Sequence, residues 1–171
     1  MADSEFYQNL SDSLKRQIIS ECHFVGLEKQ FDTLFCDSEF RFKADFKMVS
    51  MFLSSLKIEP ENKVDWISLN TTSKNIFLIA EGSIEVKYAE HPILTFRDGS
   101  YFGEVSFLLN VANKYNFIGN KNTKLYSIGE KHLLAIFELY PDFKSMLLIR
   151  ALRRYRYMKK LVAQQQAFLQ L

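Results

Sequence analysis

Two cysteines, three prolines, three histidines and six glycines are all that this 171-residue sequence holds of those types. Each scarcity excludes something. Cys22 and Cys36 lie far apart and outside any CxxC spacing, so no disulfide framework is expected and a reducing compartment suffices. His23, His91 and His132 are scattered, with no HxxxH or mixed Cys/His spacing, which gives no metal site. No run approaches the roughly 18–20 apolar residues that a membrane helix needs. Residues 1–13 carry three acids and no apolar stretch, unlike a secretory signal. The net charge of +2 is too small to point to nucleic acid or a membrane surface. No GxSxG elbow, P-loop or GxGxxG is present, and no carboxylates are paired for acid–base work, so enzyme chemistry is not expected.

What is present is apolar and aromatic. Hydrophobic residues make up 47% and aromatic residues 15% of the chain, ample for one packed core with appended helices. Residues 10–30 read as helix, with Leu10, Leu14, Ile18 and Ile19 at helical spacing and Ser11 or Asp12 as cap. Residues 39–57 repeat the pattern through Phe42, Phe46, Val49, Phe52, Leu53 and Leu56, and Pro60 stops it.

The period then changes. Val64 to Ile67, Ile76 to Ile79, Ile84 to Tyr88, Ile93 to Phe96, Tyr115 to Ile118 and Lys124 to Ile128 read as short strands. Ile84, Val86 and Tyr88 alternate with Ser83, Glu85 and Lys87, as in a half-buried strand. Close, regular spacing of short strands predicts an antiparallel roll or barrel. From Glu130 the helical period returns, with a break before Pro141 and then a long helix that carries Arg150, Arg153, Arg154, Arg156, Lys159 and Lys160. That basic run is expected to be a solvated face; the alternative is contact with an acidic partner or lipid headgroups. The class is α+β: a helical lead-in over 1–60, a roll over 61–129 and closing helices over 130–171.

One segment carries candidate chemistry. Residues 99–109 read GSYFGEVSFLL, a glycine turn followed by a short apolar helix. A helix start offers free N–H groups to an anion. Gly103 allows close approach, and Glu104 is placed to accept from a hydroxyl. This stretch resembles the phosphate-binding cassette of the cyclic-nucleotide-binding domain family. The neighbouring segments resemble it in order: IFLIAEGSIEV (76–86) its strand–glycine–strand hairpin, RDGSYFGEVSFL (97–108) its glycine turn and cassette, and KLYSIGEKHLLAIFELYPDF (124–143) its last strand and first closing helix. The helix after Pro141 is similar to the lid helix that folds over the ligand. The lead-in LSDSLKRQIISECHFVGLEKQFDTLF (10–35) resembles the end of the linker that precedes this domain in cyclic-nucleotide-gated, hyperpolarisation-activated and ether-à-go-go-type channels, with Leu10, Leu14, Ile18, Ile19, Leu34 and Phe35 in the matching places.

The resemblance implies a jelly-roll-like β-roll with N-terminal helices and C-terminal lid helices, acting as a regulatory module. It implies cAMP or cGMP as ligand, with Gly103, Glu104, Val105, Ser106, Asn113 and Lys114 as contacts. One departure matters. Binding members end the cassette on an arginine that pairs with the phosphate, and here Asn113 stands in that place, followed by Lys114. No arginine occurs between Asp98 and Pro141. Leu69-Asn70 also replaces an early Glu-Gly. Loss of a forked arginine–phosphate pair costs about 3 kcal/mol, roughly a hundredfold in affinity. Weak or absent nucleotide binding follows, and Asn113→Arg is expected to strengthen it. The channel likeness implies a place on the cytoplasmic side, a membrane-channel parent and a homotetramer or larger assembly through the N-terminal helices. The family's transcription factors append a DNA-binding unit after the long helix; this sequence has no room for one, so no nucleic-acid partner is expected. The rival reading is a ligand-free β-roll serving as a structural subunit of a larger assembly.

Overall fold

A computed structural model describes residues 26–60, 66–120 and 122–169. The helix expected over 10–30, with its Leu10, Leu14, Ile18 and Ile19 face, therefore lies largely outside the described residues; 26–30 are helical. A short helix α1 (Asp32–Phe35) follows, then a two-stranded ribbon, β1 (Cys36–Asp37) against β2 (Phe42–Lys43). The helix expected over 39–57 is shorter, α2 (Phe46–Ser54). Asp37 explains the late start. Its Oδ1 accepts from the N–H groups of Glu39 (2.9 Å) and Phe40 (3.2 Å), a turn that competes with helix. Asp45 then caps α2, accepting from Met48 N–H at 2.7 Å. The helix ends before Pro60 is reached, where the Ser54 and Ser55 hydroxyls donate back to the Met51 carbonyl.

Seven further strands form two antiparallel sheets. β3 (Lys57–Ile58), β9 (Lys124–Gly129), β4 (Asn75–Glu81) and β7 (Tyr101–Phe102) make the first, in that order. β6 (His91–Arg97), β5 (Ser83–Tyr88) and β8 (Asn116–Gly119) make the second. Pro92, read as a turn residue, sits in β6 opposite Lys87, at a register shift. At this edge of the sheet a missing N–H is tolerated. The segment at 66–67 is bent rather than a strand. Gly82 turns β4 into β5 with φ +86°, and a Cβ there would meet Asn120 Oδ1 at 2.9 Å.

β4 sets the layering. Its run Ile76-Phe77-Leu78-Ile79 is buried on both faces. Ile76 and Leu78 join Tyr101, Ile128 and the helices in one core, with Phe31, Phe52 and Phe143 completely enclosed. Phe77 and Ile79 point the other way, into the roll, with Ile84, Val86, Phe102, Phe117 and Leu125. A strand covered on both sides loses alternation and reads as a continuous apolar run. α3 (Glu104–Leu109) follows β7, and α4 (Glu130–Leu139) follows β9. α5 (Pro141–Leu169) begins on proline, which suits a first helical position. It contributes Phe143, Met146 and Leu147 to the first core and Met158 to the second, so this single helix spans both. Among the described residues, no helix is long and apolar enough to cross a membrane.

Candidate functional site

The site begins at Gly103. Its φ is +92°, and a Cβ would lie 2.8 Å from the Asn75 carbonyl and 3.3 Å from Phe77. The glycine is therefore demanded by β4, which α3 must approach closely as it leaves β7. Glu104, at the start of α3, is 1% exposed. Its Oε1 accepts from Arg154 Nη1 at 2.6 Å, and the same nitrogen donates to the Tyr101 carbonyl at 2.8 Å. The guanidinium lies between two rings, 5.0 Å from the Phe96 centroid and 4.7 Å from that of Tyr101. Glu104 Oε2 is buried and makes no hydrogen bond among the described residues.

Burial pushes the Glu104 carboxyl above the ordinary carboxylate range. Arg154 and the nearby N–H groups of Glu104 and Val105 pull it back in part. The first N–H groups of α3 thus face the chain's own carboxylate. Burial also pushes the Tyr101 phenol upward, and the Glu104 charge adds to this.

Gly103, Glu104, Val105, Ser106, Asn113 and Lys114 all line one cavity of about 290 Å³. Two of them are committed to the fold. Ser106 Oγ donates to the Val111 carbonyl and accepts from Ser73 N–H, both at 2.8 Å. Asn113, 5% exposed, uses its whole carboxamide: Nδ2 donates to the carbonyls of Ile67 (3.2 Å) and Tyr115 (2.7 Å), and Oδ1 accepts from Tyr115 N–H (3.1 Å). Its backbone also pairs with Asn70 and Thr71. Asn113 stitches the loop after α3 to residues 67–71 and has no donor left for an anion. That alters the expectation for Asn113→Arg, since the guanidinium would replace three internal hydrogen bonds.

The opposite wall of the cavity carries no signal in the sequence. Arg154, Tyr155, Met158 and Lys159 of α5 close the cavity, with Ile67, Phe96, Phe102, Tyr115 and Phe117 as its apolar lining. Stacked rings form the floor, Phe102 lying 5.0 Å from Phe117 and 5.1 Å from Phe77. Helical spacing gave a long helix after Pro141 and the family resemblance made it a lid, but neither gave the register that decides which side chains face inward.

The basic run is a solvated face only in part: Arg156, Lys159 and Lys160 are exposed as expected, whereas three arginines are paired. Arg150 Nε donates to Asp37 Oδ2 at 2.8 Å, and its Nη1 and Nη2 reach the carbonyls of Thr33 and Cys36. Arg153 forks onto Glu39 and lies over Phe40. With Arg154 on Glu104, three arginines fix α5 to the N-terminal ribbon and to the cassette. Asp37 is held below the ordinary carboxylate range: burial raises it, but Arg150 and the N–H groups of Phe40 and Glu39 together outweigh that. No group of three or more potential metal ligands occurs among the described residues.

No family model matches the chain. Over 99 residues, 57% of this chain, it is 28% identical to potassium/sodium hyperpolarization-activated cyclic nucleotide-gated channel 2 of Mus musculus, and equally to that of Homo sapiens. The matched stretch spans 12% of the mouse channel and 11% of the human one. In structure it is similar to the catabolite activator protein of Thermus thermophilus, with TM-score 0.58 and 18% identity, covering 72% of this chain and 61% of that one. It is also similar to cAMP-bound PfPKA-R, with TM-score 0.59 and 18% identity, over 84% and 49% of the two chains. The regulatory domain of Toxoplasma gondii PKA with cAMP gives TM-score 0.53 and 16% identity, over 65% and 44%. The fold is that of the cyclic-nucleotide-binding domain family, an antiparallel β-roll with helices, and the sequence likeness runs to a channel named for cyclic-nucleotide gating.

Proposed function

We propose that this chain is a non-catalytic regulatory module with the cyclic-nucleotide-binding fold, from a channel-type protein, whose degenerate cassette takes cAMP or cGMP weakly. One observation carries the reading. Glu104 Oε2 is buried at a cavity wall and makes no hydrogen bond among the described residues. A buried carboxylate oxygen without a partner costs free energy until a donor arrives, and a sugar hydroxyl supplies one. The channel likeness supports a position on the cytoplasmic side and assembly through the helical lead-in. The weakness follows from position 113, where the carboxamide is spent on backbone groups and no arginine meets the phosphate.

Calorimetric titration with cAMP and cGMP tests the reading. The expected affinity is no tighter than about tens of micromolar, since a desolvated phosphate without a forked arginine forfeits roughly a hundredfold. Sub-micromolar binding of either nucleotide would overturn the degenerate-cassette reading. A second reading, a ligand-free roll in a larger assembly, draws on Arg154 already holding Glu104 Oε1. Complete absence of binding at millimolar nucleotide would favour it.

A further inference from the structure

Four charged side chains line the cavity: Glu104, Lys114, Arg154 and Lys159. Glu104 and Arg154 neutralise each other at 2.6 Å. Lys114 and Lys159 have no carboxylate partner among the described residues. They come from opposite sides. Lys114 belongs to the loop between α3 and β8, and Lys159 to α5, where its ammonium stands 5.2 Å from the Tyr155 ring on the same wall. The rest of the lining is mainly apolar and aromatic, so the cavity has an apolar body, a hydroxyl acceptor at Glu104 and an uncompensated positive charge from the two lysines.

The geometry points to an anion subsite shared by Lys114 and Lys159, in which the lid helix supplies part of the counter-charge that position 113 lacks. This rests on the nucleotide reading of the cavity. An ammonium is a compact point charge and reaches one phosphate oxygen without the planar fork of arginine. Two of them on facing elements hold an anion between loop and lid, so the negative charge of the ligand ties α5 to the cassette. Both side chains are exposed, so each contact is weak and screened by salt.

The test compares cAMP with adenosine, which keeps the base and the ribose 2′-hydroxyl and lacks the phosphate. Both are titrated calorimetrically at low salt into the full chain and into Lys114→Gln, Lys159→Gln, the double variant and Lys160→Gln. Lys160 is exposed and outside the cavity lining. The natural sequence is expected to prefer cAMP by roughly tenfold, each single variant to lose about threefold of that preference and the double variant to approach parity. Lys160→Gln should leave the ratio unchanged. An unchanged ratio in the double variant, with both probes still binding, overturns the lysine subsite alone. So does an equal loss in Lys160→Gln, which would mark a diffuse field. If neither probe binds the natural sequence, the nucleotide reading falls and takes the subsite with it.

Discussion

Asn113 shows how one side chain can close a site. Its amide satisfies Ile67 and Tyr115 from a position 5% exposed. Asn113→Ala should therefore lower stability by about 1–3 kcal/mol, the cost of buried backbone groups left without partners. Asn113→Arg should lower the thermal midpoint as well, instead of simply gaining ligand affinity. Thermal melts of both against the natural sequence check this, and an arginine variant of undiminished stability would contradict the role assigned to the carboxamide. Glu104 gives a second residue-scale outcome. Its raised pKa means that the folded chain holds the proton more tightly than the unfolded chain. The stability of the natural sequence relative to Glu104→Gln should be full below the ordinary value of 4.5 and fall as pH rises through the folded value. In Arg154→Gln the fall should move to higher pH, because the favourable charge facing Glu104 is gone. Denaturant titrations across pH measure it; a difference that grows with pH would refute the raised value. Glu104 was legible from its place after Gly103, but Arg154, fifty positions away, was not. Only the folded register of α5 brings the two together.

At the scale of elements, what the sequence revealed depended on whether a local period matched the final environment. β5 alternates and is half-buried, so Ile84 and Val86 identify it. β4 is read from its uninterrupted apolar run, because both of its faces are covered. Pro141 and the period before it mark the break between α4 and α5. The ribbon β1–β2 escaped because Phe42 suited both a helical pattern with Phe46 and an alternating one with Phe40. The Asp37 turn and Arg150, more than a hundred positions downstream, decide between them. β7 escaped because it has only two residues, Tyr101 and Phe102, too few for any period. In the candidate site, the cassette side was legible because it lies in one short contiguous stretch, GSYFGEVSFLL, that carries the family resemblance. The lid side was not, because a basic amphipathic helix looks the same whether its arginines face water or buried carboxylates.

At the scale of the whole molecule, α5 decides how the two cores communicate. Phe143, Met146 and Leu147 anchor its first turns among the helices, while Met158, 2% exposed, is its plug in the roll. Between them lie Arg150 and Arg153 on the ribbon and Arg154 on the cassette. Within the roll, Phe102 also stacks on Phe77 and Phe117, in a cluster that includes Leu125. The lid half of the helix is therefore held by fewer buried contacts than the anchor half and should open at lower free energy. Met158→Lys tests this, since a charge at a buried site cannot stay there unpaired. Hydrogen exchange should rise over 152–169 while the β4–β9 ladder stays protected, and cAMP affinity should fall with the lid undocked. Loss of protection across β4 and β9 together with the helix would show instead that lid and roll unfold as one unit, leaving no separate lid for a ligand to draw in.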